Sequence, residues 1–487
     1  MPRSTASVTP AVFPFIRALL LAALLVLPLS AAAKPLNFVL FLADDISSED
    51  IGAYGHPTIQ TPNIDRLAGA GLRFTNAYLT ISSCSPSRCS LITGRYPHNT
   101  GAPELHTELP EGMIRFPDLL RQAGYYTVLS GKNHMGNYAA QAFDTVSLGV
   151  GPGKEEDWVQ LLRERPREQP FFCWYASTDA HRDWQFDNHA PRYDPSDIVI
   201  PPYLVDGPKT REDLTGYYHE VSRFDHYIGA VVAELDRQGV LDHTVIIIMA
   251  DNGRPFPRAK TRLYDSGIKP PFIIYAPGLV EPGVTDSLIS SIDLAPTVLE
   301  LANTPPDARI QGLSFAPVLH DPTATVRRVA FAEHNWHVYA NHERMVRMDD
   351  WLYIRNHMPD QQNLCVEAYM GGAGEELWAA HAAGTLTAAQ RNVFWNPCPP
   401  EELYHVRNDP HQLTNLADHP SSAAILATAR AQLSAWTTQT GDTIPTHGSP
   451  SRDAPPGQPP LDRKLFQRGE MPGAATSAHA INHPGPQ

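Results

Sequence analysis

Leu36-Asn37-Phe38-Val39-Leu40-Phe41-Leu42-Ala43-Asp44-Asp45 is a near-continuous apolar run that stops on two adjacent carboxylates. Hydrophobicity without alternation is the pattern of a strand covered on both faces, as in a parallel sheet. Three later runs share the design. Tyr125–Ser130 leads into Gly131-Lys132-Asn133-His134-Met135-Gly136, Phe171–Ala176 into Ser177-Thr178-Asp179-Ala180-His181, and Val245–Ala250 into Asp251-Asn252-Gly253. Helical patterns at Asn63–Ala70, Phe116–Ala123 and Tyr217–Gln238 lie between them. Strands alternating with helices predict an α/β fold, a doubly wound, largely parallel sheet with helices on both faces. In such sheets ligands bind beyond the carboxyl ends of the strands. An isolated Asp-Asp pair is more often a solvated turn, but four chemically distinct tips on one rim make a site.

Working outward, residues 34–326 read as this α/β domain. From about Arg327 the texture changes to short strand candidates and a final helix near Ala423–Thr437, which predicts a smaller α+β subdomain over 327–446 with a short antiparallel sheet. Residues 447–487, dominated by Pro, Gly, Ser and Ala, read as a disordered or surface-wrapped tail. At the other end, Arg17, the apolar stretch Ala18–Leu27 and Ala31-Ala32-Ala33 have the layout of a cleaved secretory signal over residues 1–33. The expectation is therefore export, to the periplasm or beyond, with no stable membrane span after cleavage. The formal charge is −14, and −16 without residues 1–33, which hold two arginines and no acid. That balance excludes a nucleic-acid surface and means that an anionic substrate needs a local basic pocket. Five cysteines form no dense disulfide framework, and whether Cys365 and Cys398 pair stays open.

The strand tips carry the chemistry. Asp44, Asp45, Asp251 and Asn252 are a hard, all-oxygen donor set, suited to Ca²⁺ or Mg²⁺ rather than Zn²⁺. Arg88, Lys132 and Lys260 are cations able to hold a tetrahedral anionic transition state, and His134 and His181 are candidates for proton transfer. Cys84 precedes Pro86 at the start of a short helical pattern that stops at Thr93-Gly94, which places the thiol at a helix N-terminus where an anion is favoured.

Cys84-Ser85-Pro86-Ser87-Arg88, followed by Leu91-Ile92-Thr93-Gly94-Arg95, resembles the signature of the formylglycine-dependent sulfatases. Asp44-Asp45, Gly131–Gly136, His181, Asp251-Asn252-Gly253 and Lys260 are similar to that family's other motifs in order, and Glu402–Pro410 to its C-terminal element, with His405 where Asp is usual. The resemblance implies an alkaline-phosphatase-like core, a maturation enzyme that oxidises Cys84 to formylglycine, and a bound Ca²⁺ (Mg²⁺ as the alternative) held by Asp44, Asp45, Asp251, Asn252 and residue 84. It further implies that one hydroxyl of the hydrated aldehyde attacks sulfur while His181, with Lys260, serves the leaving group. The second hydroxyl, deprotonated by His134, would then expel sulfate, and Arg88 and Lys132 would neutralise charge. Asn252–Tyr264 and Glu333-His334-Asn335-Trp336-His337 look like the corresponding stretches of N-sulfoglucosamine sulfohydrolases, so His334, His337 and Arg344 are the candidates for a sugar pocket. The implied partner is a sulfated saccharide. The competing readings are a phosphonate or phosphate ester hydrolase of the same superfamily and a non-catalytic saccharide-binding relative; oligomeric state is left open.

Overall fold

The structure, a computed structural model, describes residues 1–8 and 34–487, so the expected export signal at 1–33 lies largely outside the described residues. Strands β1 (Asn37–Ala43), β2 (Leu72–Phe74), β3 (Ala77–Tyr78), β4 (Tyr126–Gly131), β5 (Thr145–Ser147), β6 (Phe171–Ala176), β7 (Thr244–Ala250), β8 (Phe272–Tyr275), β9 (Gly283–Thr285) and β10 (Ile289–Ser290) come from the first part of the chain. The main sheet has eight strands in the order β5-β4-β6-β1-β7-β8-β2-β9. Within it β8 alone runs against its neighbours, and the other pairings are parallel. The doubly wound expectation is therefore met.

Why both faces are covered is visible in β1 itself. Phe38, Leu40 and Leu42 join one buried cluster, and Val39, Phe41 and Ala43 join another on the opposite face. Successive side chains of a strand point to opposite sides, so an unalternating apolar sequence needs two cores. Burying each large side chain of this set contributes about 2 kcal/mol. The long helix Pro208–Arg237 covers the second face, with Leu214, Val221, Phe224, Ile228 and Leu235 fully buried.

Strands β11 (Val329–His334), β12 (Glu343–Met348), β13 (Trp351–Asn356) and β14 (Glu401–His405) form the expected antiparallel sheet in the order β11-β12-β13-β14. The helix Ala423–Thr440 packs on it through Leu426, Leu433 and Trp436. Leu36–Gln487 forms one compact unit, so the expected boundary at 326/327 marks a change of sheet inside it. A further helix, Gly371–Ala383, lies against Pro208–Arg237 and was not foreseen, because its opening glycines read as a loop.

Residues 447–487, for which disorder and surface wrapping are the alternatives from sequence, lie against the rest of that unit in the structure. Arg95 donates to the carbonyls of His479 (3.1 Å) and Ile481 (2.8 Å), and Trp336 Nε1 to that of Pro450 (2.7 Å). Backbone carbonyls, polar side chains such as Arg468 and Ser449, and a stacked ring, Phe466 on Trp336, hold the tail, so few apolar anchors suffice. Among the described residues no helix is long and apolar enough to cross a membrane.

Candidate active site

Parallel registers bring the strand tips together. Ala43 pairs with Ala250 across β1 and β7, and Leu42 with Ala176 across β1 and β6. The ladder continues past the strands: Asp251 N donates to Ala43 O (3.1 Å), Asp44 N to Asp179 O (2.8 Å) and Lys132 N to Ala176 O (2.9 Å). Residues 44, 132, 179 and 251 are thereby laid side by side on one rim.

The helix Cys84–Thr93 points its first residue at this rim and ends at Gly94, whose φ of 64° is the left-handed stop that its sequence signalled. Cys84 is 2% exposed, and its Sγ lies 3.6 Å from Asp44 Oδ1 and 4.0 Å from Asp45 Oδ1. Ligand atoms of Asp44, Asp45, Cys84 and Asp251 all fall within 4.8 Å of one another. Burial pushes the Cys84 thiol well above its usual range, with Lys132 and Lys260 opposing. The side chain as encoded is thus a poor nucleophile.

Cations offset the carboxylates one for one. Lys132 is paired with Asp44, Lys260 Nζ sits 2.6 Å from Asp45 Oδ2, and Arg88 Nε 2.7 Å from Asp251 Oδ2. Burial alone would raise the Asp44 carboxyl, yet Lys132, His181, Arg88 and Lys260 together hold it well below the ordinary range. For Asp45 burial wins over Lys260 and the carboxyl is pushed up to about 7; Asp251, against Arg88, is pushed up to about 6. Burial is the larger cause for both, so two of the three carboxylates carry a desolvation cost that their paired cations do not fully offset. The Asn252 amide nitrogen donates to Asp45, and Asn252 Oδ1 is buried without a partner. An orphaned amide oxygen among three carboxylates is what a hard divalent cation would complete, so the residues present fit such an ion.

His181 is half-buried. Its Nδ1 donates to Arg182 O at 2.5 Å, and its Nε2 is 3.9 Å from Asp45 Oδ2. The loop carrying it is pinned from both sides by the long helix: Arg223 donates twice to Asp179 at 2.7 Å, and Arg182 twice to Asp213 at 2.5 and 2.8 Å. Lys260, followed by burial, pushes the His181 imidazole down to about 4. His134 is driven lower still, to about 2, by burial, then by Lys132 and Arg88. A 360 Å³ cavity opens on this side, with Asp44, Lys132, Lys154, His181, Arg182 and Asp183 in its wall.

The structure brings Asp44, Asp45, Cys84, Arg88, Lys132, His134, His181, Asp251, Asn252 and Lys260 to one place. It treats the three sugar-pocket candidates differently. His337 alone approaches the centre, with Nδ1 2.7 Å from Ser83 Oγ, next to Cys84. His334 donates to Glu343 at 2.8 Å instead, and Arg344 is fully buried, bonded to Asp442 at 2.6 and 2.8 Å and to Asn335. Arg344 is therefore held as a structural cation, because the buried carboxylate of Asp442, just past the end of the helix Ala423–Thr440, claims its guanidinium. Lys154, His106 and Glu367 near the site were not singled out in the sequence. Lys154 had a signal, a lysine in a Gly-Pro-Gly turn; His106 and Glu367 had none. Cys365 and Cys398, whose pairing was open, are both buried free thiols.

The Glu343 cluster supports a stability prediction. Burial opposes ionisation of its carboxyl, but Arg262 and the His334 donor overcome it and bring it down to about 2. The folded state then holds its proton more weakly than the unfolded chain, so the stabilisation is present above the ordinary glutamate range and is lost as pH falls toward 2. Its size is about 3 kcal/mol. Glu343→Gln should lower the urea midpoint at pH 6, and the gap from wild type should close toward pH 2.5; a gap unchanged with pH would refute the ionic origin.

Comparison with known proteins follows this geometry. A family model described as Sulfatase matches residues 36–155 and 155–304, and one described as N-sulphoglucosamine sulphohydrolase, C-terminal, matches 258–361. The chain is 31% identical over 481 residues to human N-sulphoglucosamine sulphohydrolase, covering 86% of this chain and 93% of that one. It is 30% identical over 453 residues to an ulvan-active sulfatase of Formosa agariphila, covering 81% and 74%. A solved structure of a protein in complex with D-glucosamine-2-N,6-O-disulfate, described as its substrate, superposes with a TM-score of 0.65 at 20% identity, over 83% of this chain and 98% of that one, and so shares the fold.

Proposed function

This chain belongs to the sulfatase family, and from that premise we propose that it is an exported hydrolase of sulfated saccharides whose preferred bond is the N-sulfate of a glucosamine unit. The observation that carries the substrate is the match of the N-sulphoglucosamine sulphohydrolase C-terminal model across 258–361, which takes in much of the loop over the rim and the β11–β12 region. The relative active on ulvan favours a second reading, an O-sulfated polysaccharide.

In this reading a maturation enzyme converts Cys84 to formylglycine, whose hydrate supplies one hydroxyl to attack sulfur and a second to release sulfate without a separate water. Asp44, Asp45, Asp251 and Asn252 would hold a divalent cation, Ca²⁺ or Mg²⁺, which when bound polarises the S–O bonds. Arg88 and Lys132 neutralise charge on the tetrahedral sulfur group, a duty suited to cations fixed by burial and ion pairs before substrate arrives. Lys260, whose ammonium Asp45 keeps protonated, and His181 Nε2 face the leaving group; the proton can come from Lys260, since the lone His181 is neutral at pH 7. His134 is neutral at working pH, so its free ring nitrogen can accept a proton but the ring has no acidic imidazolium proton to give.

The test is a substrate panel on matured enzyme: glucosamine N-sulfate, p-nitrophenyl sulfate, ulvan oligosaccharides, and phosphate and phosphonate esters. The expected kcat/KM for the N-sulfate exceeds that of the phosphoryl esters by about 10³-fold or more. Dominant phosphoryl hydrolysis would overturn the sulfatase chemistry, and dominant ulvan turnover would replace the N-sulfate with the second reading.

A further inference from the structure

His106 lies on a segment that no strand or helix explains, 22 residues beyond the nucleophile helix's start in the chain, yet it touches that helix and the candidate base together. Its backbone N–H donates to Ser85 Oγ at 2.7 Å, and its Nδ1 lies 2.8 Å from His134 Nε2. Both histidines are in the left-handed region, His106 at φ 61° and His134 at φ 52°, a conformation that a bulky residue adopts only where its surroundings impose it. The wrapped tail does the imposing: Arg468 donates to Glu104 Oε2 (2.6 Å) and to Leu105 O (2.8 Å), and Ser449 Oγ to Glu104 Oε2 (2.7 Å).

Two imidazoles facing each other nitrogen to nitrogen bond only if one of the two nitrogens carries a proton and the other does not. Burial, with Lys132 and Arg88 facing His134 and with Arg452, Arg468, Lys132 and Lys260 facing His106, pushes both imidazoles toward the neutral form, which carries one proton each. If His106 were the donor, the His134 proton would have to sit on Nδ1, which is buried without a partner and lies in the field of the Lys132 and Arg88 cations. A bare lone pair suits that position and an N–H does not.

We propose that His106 is a positioning residue: by accepting from His134 Nε2–H it fixes the tautomer that leaves His134 Nδ1 bare, as the base of the proposed reaction. The proposal rests on the reading of His134 as base. It assigns the tail an indirect part in turnover, as the clamp that holds residues 104–107 in place.

The deciding experiment uses His106→Gly, which removes the acceptor, and His106→Asn, which restores one through Oδ1; both residues tolerate positive φ, so neither strains the backbone. In the full-length unmatured protein, ¹⁵N NMR of the imidazoles should show His134 protonated at Nε2 in wild type and His106→Asn, and a tautomer mixture in His106→Gly. In matured enzyme, His106→Gly should lower kcat about 10²-fold with KM within a few-fold, and His106→Asn should recover most of it. Wild-type kcat in His106→Gly alongside an inactive His134→Ala would overturn the proposal. An active His134→Ala would instead overturn the base itself, and a His134 Nδ1–H tautomer in wild type would refute the direction of the bond.

Discussion

Cys84→Ala is expected to abolish sulfate hydrolysis, with a fall in kcat of about 10⁴-fold or more, while the protein folds as before. The magnitude follows from the kind of step removed: a covalent nucleophile whose loss leaves only binding and charge stabilisation. The fold should tolerate the change because alanine keeps Cβ and deletes one buried sulfur, at about 1 kcal/mol. A thiol that burial keeps protonated should be as inactive as alanine, so unmatured wild type and Cys84→Ala should be indistinguishable in rate. Measuring kcat and melting temperature on both, with mass spectrometry of the tryptic peptide Phe74–Arg88, checks the chain of argument. Turnover in Cys84→Ala above a hundredth of wild type, or intact Cys84 in fully active enzyme, would end the formylglycine reading.

Arg344→Met should be the most damaging single substitution away from the rim. Its guanidinium is 0% exposed and closes on Asp442, a fully buried carboxylate held below its ordinary range by that same charge. Truncating one partner strands the other in a low-dielectric interior, at about 3–5 kcal/mol. Denaturant midpoints for Arg344→Met, Asp442→Leu and the double variant should show the double recovering part of the loss, because two neutral groups leave no orphan charge. A variant of full stability with only a raised KM for saccharide would restore the sugar-contact role that the sequence suggested.

These cases mark what was legible. The apolar runs ending at Asp44, Lys132, His181 and Asp251 foretold both the sheet and the rim, since a strand buried on two faces must be parallel-type core and its polar tip must lie at an edge. The motif around Cys84 placed a helix start and its thiol at that rim. The pairing of Arg344 with Asp442 was not legible, because a cation beside a polar strand end looks the same in sequence whether it faces a pocket or a distant aspartate. The contacts of the tail were not legible, because composition does not register the backbone carbonyls and single polar side chains that hold it in place.

By itself, then, the amino-acid sequence determined the α/β class, the family-like motifs and the identity of the groups at the strand tips, because periodicity and local motifs are properties of neighbouring residues. The tertiary structure alone decided which charges pair, which face the site and which are consumed elsewhere. Asp442 on Arg344, Arg223 on Asp179 and His106 on His134 join residues 98, 44 and 28 positions apart. Such pairings depend on burial and register, and no local pattern encodes them.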